Sequence, residues 1–239
     1  RLFLRKTSNI DSLEHDGIDI CYGDIRNLDE ISEACENIDV VIHCAASLKG
    51  SNDLIMDSIV RGTENISKAI NRANVKQVIY ISSFSVFDYT RIRNKSVIDE
   101  NSPIESYTEM RGLSSAAKTE AEKIAISNLT NDNADWTIIR PSLIFGNNRE
   151  LASLVGPRVG NLLFSFGRPT KNMRLIHIKD LSRAIIKCIN NDSVKNKIYN
   201  ITHNDCLMVK DFIRKVIRKS EYYKNIHVIY IPYWIGLII

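Results

Sequence analysis

The stretch Val78-Ile79-Tyr80-Ile81-Ser82-Ser83-Phe84-Ser85-Val86-Phe87-Asp88 decides how the rest of the chain is read. Four β-branched or aromatic residues in a row, without polar alternation, suit a strand buried on both faces of a parallel sheet. The run turns polar at Ser82, which places hydroxyls at the carboxyl edge of the sheet, where open α/β sheets bind ligands. Taken alone, the stretch is equally a strand followed by a Ser-rich turn. The flanking chain decides between the two.

Toward the N-terminus, Leu54 to Ala73 reads as a long amphipathic helix, with Ile55, Ile59, Ile66 and Ile70 at helical spacing. Before it, Asp39 to Ala46 is a buried strand ending in small residues, which let a flat ligand approach the backbone. Arg1 to Arg5 and Ile18 to Tyr22 are short strands, and Asp29 to Asn37 is a helix with Asp29 as N-cap or early-turn charge. Toward the C-terminus, a loop containing Pro103 leads to a helix over Ser114 to Leu129 and a buried strand, Trp136 to Pro141, stopped by its proline. Strands alternating with helices predict right-handed β-α-β units and a doubly wound parallel sheet of the α/β class.

Beyond Gly146 the pattern loosens. Arg149 to Phe164 is expected as a helix, Gly167 to Asn172 as a loop and Arg174 to Ile178 as a strand. Asp180 is expected to cap a helix through Ile189, followed by a strand over Lys197 to Ile201 and a helix over Val209 to Lys219. The expected organisation is a core over 1–146, an insertion over 147–175, a return to the core over 176–201 and a C-terminal lobe over 202–239. The apolar run Ile229 to Ile239 suits a buried terminal helix, a membrane-associated segment or the start of something longer. Arg1 in place of Met, in a strand already in progress, implies that the chain begins inside a fold.

Composition narrows the function classes. The 239 residues carry a net charge of +4 with no basic block, which argues against a nucleic-acid partner. Cys21, Cys35, Cys44, Cys188 and Cys206 are odd in number and lack any C-x-x-C pair, so reduced thiols in a cytoplasmic compartment are expected, without a metal site. No apolar run reaches the roughly 18 residues that span a bilayer.

The ordered series Gly23-Asp24-Ile25, Val41-Ile42-His43-Cys44-Ala45-Ala46, Gly62-Thr63-Glu64-Asn65, Val75 to Ser83, Asp99-Glu100-Asn101-Ser102-Pro103, Lys118-Thr119-Glu120-Ala121-Glu122, Arg140-Pro141, Ile176 to Leu181 and Tyr199-Asn200 resembles the extended short-chain dehydrogenases/reductases. The likeness is greatest to the nucleotide-sugar epimerase/dehydratase and 3β-hydroxysteroid dehydrogenase-like branch, and it covers almost the whole chain. It implies a Rossmann-like fold with a small C-terminal substrate lobe. It also implies that a strand, a Gly-rich pyrophosphate-binding turn and a helix precede Arg1. The implied activity is NAD(P)-dependent oxidoreduction or epimerisation at a hydroxyl or ketone of a nucleotide sugar or steroid-like alcohol. The cofactor is NAD or NADP. Asp24 and Ile25 match the adenine-binding pair, Ala45 and Ala46 the small residues of the cofactor groove, and Pro141 the wall at the nicotinamide. Arg5, with Lys6, stands where NAD-preferring members often carry an acid, and a cation there suits the 2′-phosphate of NADP. A homodimer through the two long helices is a further implication.

The family's proton chemistry rests on Tyr-x-x-x-Lys plus a hydroxyl residue on the preceding strand. Ser83 matches the hydroxyl residue and Lys118 the lysine, but Ser114 stands four residues before Lys118 in place of tyrosine. A serine hydroxyl is several units less acidic than a phenol. Three readings follow: a catalytically impaired dinucleotide-binding protein with a sensing or scaffolding role; Tyr107 supplying the phenol; or Ser114 acting through a water. Ser85, Tyr107 and His177 fall on the implied substrate side, although packing or capping is the simpler role for His177. His43, inside a buried strand, reads as a core histidine. Asp99 and Glu100 read as loop caps.

Overall fold

The computed structural model describes residues 1–10, 16–44, 51–92, 97–106, 112–129, 134–146 and 151–232. In chain order these form β1 (Leu2–Leu4), β2 (Ile20–Tyr22), α1 (Leu28–Cys35), β3 (Val40–His43), α2 (Asn52–Met56), α3 (Gly62–Ala73), β4 (Gln77–Ile81), α4 (Leu113–Leu129), β5 (Asp135–Pro141) and β6 (Leu143–Phe145). There follow β7 (Arg158–Val159), β8 (Leu162–Phe166), β9 (Asn172–Met173), β10 (Leu175–His177), α5 (Ile178–Cys188), β11 (Lys197–Ile201), β12 (Leu207–Met208), α6 (Val209–Lys215) and β13 (His227–Ile231). The chain divides into two compact units, 1–140 with 185–200, and 141–184 with 201–239. The first unit alternates strands with helices, as the apolar periodicity predicts.

In the first unit, β4 pairs in parallel with β3 on one side and with β5 on the other. All five of its residues are buried, as the uninterrupted apolar run requires. The four-stranded order is β11-β5-β4-β3, while β1 and β2 form a separate parallel pair. Helices α1, α3 and α4 bury Ile31, Ile70, Ala125 and Leu129 against Val78, Tyr80 and Ile138. On α4, Ala117, Ala121 and Ala125 recur at i, i+4 and i+8 and are at most 1% exposed, so small side chains admit the neighbouring elements closely. Ile59 shares a core cluster with the first two of these alanines, and Ile55 and Met56 pack against it.

Several sequence expectations are corrected here. The helix expected from Leu54 to Ala73 starts at Asn52 behind a Ser51 cap and passes through a π-helical turn, Asp57–Arg61, before α3. Helix α1 is capped by Asn27, whose side chain accepts from the Asp29 and Glu30 amides; Asp29 lies in the first turn.

The second unit departs further from its sequence pattern. The helix expected over Arg149 to Phe164 is instead a 3₁₀ turn, Leu151–Leu154, followed by the antiparallel hairpin β7-β8. Gly156 permits the close return of the chain, because a Cβ there would lie 1.9 Å from the Phe164 carbonyl oxygen. Gly160 then turns the hairpin at φ +57. Strand β13 adds to β8 in parallel, and their inner residues pack with Phe212, Ile213 and Ile217. The apolar run from Ile229 thus opens as strand, and residues 233–239 lie outside the described residues. The basic helix stops at Lys215 rather than Lys219, with a 3₁₀ turn, Ile217–Lys219, after it. Helix α5 begins at Ile178, so Asp180 is a first-turn charge, and the His177 ring accepts from the Lys179 amide. The division between units falls at 140, 184 and 200, against the expected breaks at 146, 175 and 201. Among the described residues, no helix is long and apolar enough to cross a membrane.

Candidate functional site

The carboxyl end of β4 is where the strand's hydroxyls emerge. Ser82 is buried, and its hydroxyl donates to a Glu122 carboxylate oxygen on α4. Ser83 is half-buried and extended, and its Oγ accepts from the Ser85 amide at 3.1 Å, closing the 3₁₀ turn Phe84–Val86. That contact uses an acceptor position, so the Ser83 proton can be directed to a ligand oxygen. The turn packs against α4.

On α4, Ser114 is exposed in the first turn, whereas Lys118, one turn later, is half-buried. Burial pushes the Lys118 pKa down, and the neighbouring Cys44 and Glu122 oppose that shift. Cys44 follows β3, so the end of β3 and the first half of α4 meet at Lys118. Beneath them His43 is 5% exposed, with its Nε2 3.3 Å from Thr63 Oγ1 and its ring 5.4 Å from that of Tyr80. Burial, aided by the Lys118 charge, holds its pKa at about 3. A neutral core histidine is the role these contacts define.

A second group forms where β1 and β2 end. Arg5 is exposed after β1, and its charge helps hold Asp24 ionised. The larger cause is Arg26, which donates to both Asp24 oxygens through Nε and through Nη2 at 2.5 Å, keeping the carboxyl at about 2. Ile25 is fixed from behind. Asn65 Nδ2 on α3 donates to its carbonyl at 3.2 Å, and a Cβ at Gly62 would come within 2.9 Å of the Ile25 side chain. Gly62 and Asn65 are thus the residues that seat the Asp24-Ile25 pair. Both occur in the quoted Gly-Thr-Glu-Asn motif, but only the contacts assign them this task.

An open cleft of about 1110 Å³ runs from Asp24 and Arg26 past Asp57 and Arg61 to Asn65 and Lys68. Its lining mixes Asp53, Asp57 and Glu64 with Arg26, Arg61 and Lys68, and the ionised, part-exposed Asp24 carboxylate stands at one end of it. An adenine amine at Asp24 would share the carboxylate with Arg26.

Ala45, Ala46 and Tyr107 lie outside the described residues. Pro141 and His177 belong to the second unit, where Pro141 ends β5 buried and His177 stacks edge-on to Phe145 at 5.0 Å. Ser85 is half-buried beside Ser83. Arg140 does not face solvent: it is 2% exposed and paired with Glu122. Among the described residues, no group of His, Cys, Asp and Glu side chains could hold a metal ion.

Residues 4–232 match the model of the 3-beta hydroxysteroid dehydrogenase/isomerase family. The chain is 27% identical over 213 residues to UDP-glucose 4-epimerase of Vibrio cholerae, covering 84% of this chain and 63% of that protein. It is 31% identical over 193 residues to human short-chain dehydrogenase/reductase family 42E member 1, covering 72% and 47%. The chain therefore spans about half to two thirds of these relatives. Among solved structures, gox2253 superposes with a TM-score of 0.78 at 20% identity, over 100% of this chain and 73% of that one. The NAD complex of UDP-glucose 4-epimerase from Thermus thermophilus gives 0.71 at 14%, over 92% and 74%. These likenesses show the Rossmann-type fold.

Proposed function

Because the chain belongs to the 3-beta hydroxysteroid dehydrogenase/isomerase family, we propose that it forms most of an NAD(P)-dependent oxidoreductase or epimerase/dehydratase-like enzyme. Its substrate is a hydroxyl or ketone of a nucleotide sugar or a sterol-like alcohol. The observation that carries this reading is Ser83 at the carboxyl end of the buried strand β4, in a turn packed against α4, the helix that carries the half-buried Lys118.

A bound nicotinamide dinucleotide supplies or accepts the hydride. Asp24 and Ile25 receive its adenine, Arg5 favours a 2′-phosphate and hence NADP, and Lys118 bonds the ribose nearest the reacting carbon. Ser83 donates to the substrate oxygen and so favours the charge that develops there. The substrate proton passes through Tyr107 or through a water held by Ser114; the exposure of Ser114 leaves room for the water. The second unit provides the substrate lobe, and α3 and α4 a surface for homodimerisation. Relatives named as epimerases and as dehydrogenases/reductases support a competent enzyme over an impaired one.

The test uses the full-length gene product. Binding of NADH and NADPH is followed by fluorescence, and turnover is measured with UDP-glucose and with a 3β-hydroxysteroid. Turnover that falls at least about 10²-fold in Ser83→Ala is expected. Absence of any cofactor binding would sink the proposal.

A further inference from the structure

One buried ion pair is not needed to build the sheet. Glu122 is 1% exposed and Arg140 2% exposed. Arg140 Nε donates to both Glu122 oxygens at 3.2 and 3.1 Å, and Nη2 donates to Oε1 at 2.7 Å. The remaining arm, Nη1, donates to the Glu100 carbonyl at 3.0 Å, and the guanidinium lies 5.1 Å from the Phe87 ring centroid. Glu100 in turn accepts the Asn200 amide at 2.7 Å. The pair therefore joins α4, β5, the 97–106 loop and the end of β11 to the turn after β4. Apolar residues of the same volume stabilise a core at least as well as a buried ion pair, so geometry is the better reason for this one.

Two features tie the pair to the candidate site. Glu122 lies one helical turn beyond Lys118, on the same face of α4. Its carboxylate also takes the Ser82 hydroxyl. Successive residues of an extended chain point to opposite sides, so holding Ser82 inward turns Ser83 outward.

We propose that Glu122 is a positioning residue, which sets its carboxylate one helical turn from the Lys118 side chain and fixes the orientation of Ser83 through Ser82. This rests on the functional reading only for the roles of Lys118 and Ser83; the coupling itself is a property of the protein without cofactor. The groups facing Lys118 are Cys44 and His43 from β3 and its end, and Glu122 from its own helix. Cys44 and His43 are left unchanged in the variants below, which isolates Glu122.

The experiment follows the Lys118 titration by NMR of the labelled ε-carbon in the full-length, cofactor-free protein, with Lys118→Arg assigning the signal. Glu122→Gln is expected to move the Lys118 midpoint downward, and Glu122→Asp to leave it near the parent's. If Glu122→Gln does not fold, the charge-free pair Glu122→Leu with Arg140→Met takes its place, with a smaller downward shift expected because the Arg140 charge leaves as well. Ser82→Ala is expected to lower kcat more than it raises the KM of the turnover assay, with the Lys118 midpoint unmoved. A Lys118 midpoint in the charge-free variants equal to the parent's overturns the proposal. A shifted midpoint in a protein that turns nothing over upholds it while defeating the functional reading.

Discussion

Breaking the Glu122–Arg140 pair from one side should destabilise the protein far more than removing it whole. At 2.7 Å and an effective dielectric of about 20, two unit charges attract by about 6 kcal/mol. Burial of the two ions, at several kcal/mol each, offsets most of that. Arg140→Met leaves Glu122 charged in a site 1% exposed, which costs about 3–5 kcal/mol, and deprives the Glu100 carbonyl of a donor, which costs roughly 1 more. Glu122→Leu strands the guanidinium and the Ser82 hydroxyl to a similar extent. The double variant strands neither charge and should lie within about 2 kcal/mol of the parent, so the two sites couple by at least about 3 kcal/mol. Urea unfolding followed by circular dichroism measures all four corners of the cycle. If the two single losses add up to the double's within about 0.5 kcal/mol, the pair is not the unit described here.

Three other predictions reach different parts of the molecule. In the second unit, Gly156→Ala must displace the Phe164 backbone and should lower stability by about 3 kcal/mol, whereas Gly160→Ala meets nothing within 4 Å and carries only the left-handed backbone cost of about 1–2 kcal/mol; equal effects in thermal melts would contradict the contact geometry. His43 has a folded pKa of about 3 against about 6.5 unfolded, so only the unfolded chain takes up its proton between those values. Stability should therefore fall as pH drops from 6.5 toward 3, by up to roughly 1.4 kcal/mol per unit, and His43→Leu should flatten that slope; Thr63 keeps its bond to the Ile59 carbonyl in the variant. An unchanged slope in urea titrations across this range would show that other groups dominate. Finally, Ser114→Tyr places a phenol one turn from Lys118 and should raise kcat about 10-fold or more if proton transfer limits turnover; a fall in kcat would point to Tyr107 as the proton donor already in place.

The sequence by itself determined the central strand, its parallel neighbours and the place of Ser83, because uninterrupted apolar runs and their polar ends follow from burial, which each residue signals alone. It also determined the family, through motifs whose order survives even where single matches are weak. Tertiary structure decided what depends on which side chains meet. The π-helical turn before Gly62 has no local signal, and the hairpin at Gly156 was hidden because its residues alternate too briefly to outweigh a helical reading. Asp24 shows the same limit: its position was legible, but not that Arg26 would occupy its carboxylate. Glu122 and Arg140 stand 18 residues apart, each ordinary in its own segment. Only packing α4 against β5 brings the two together and removes both from water.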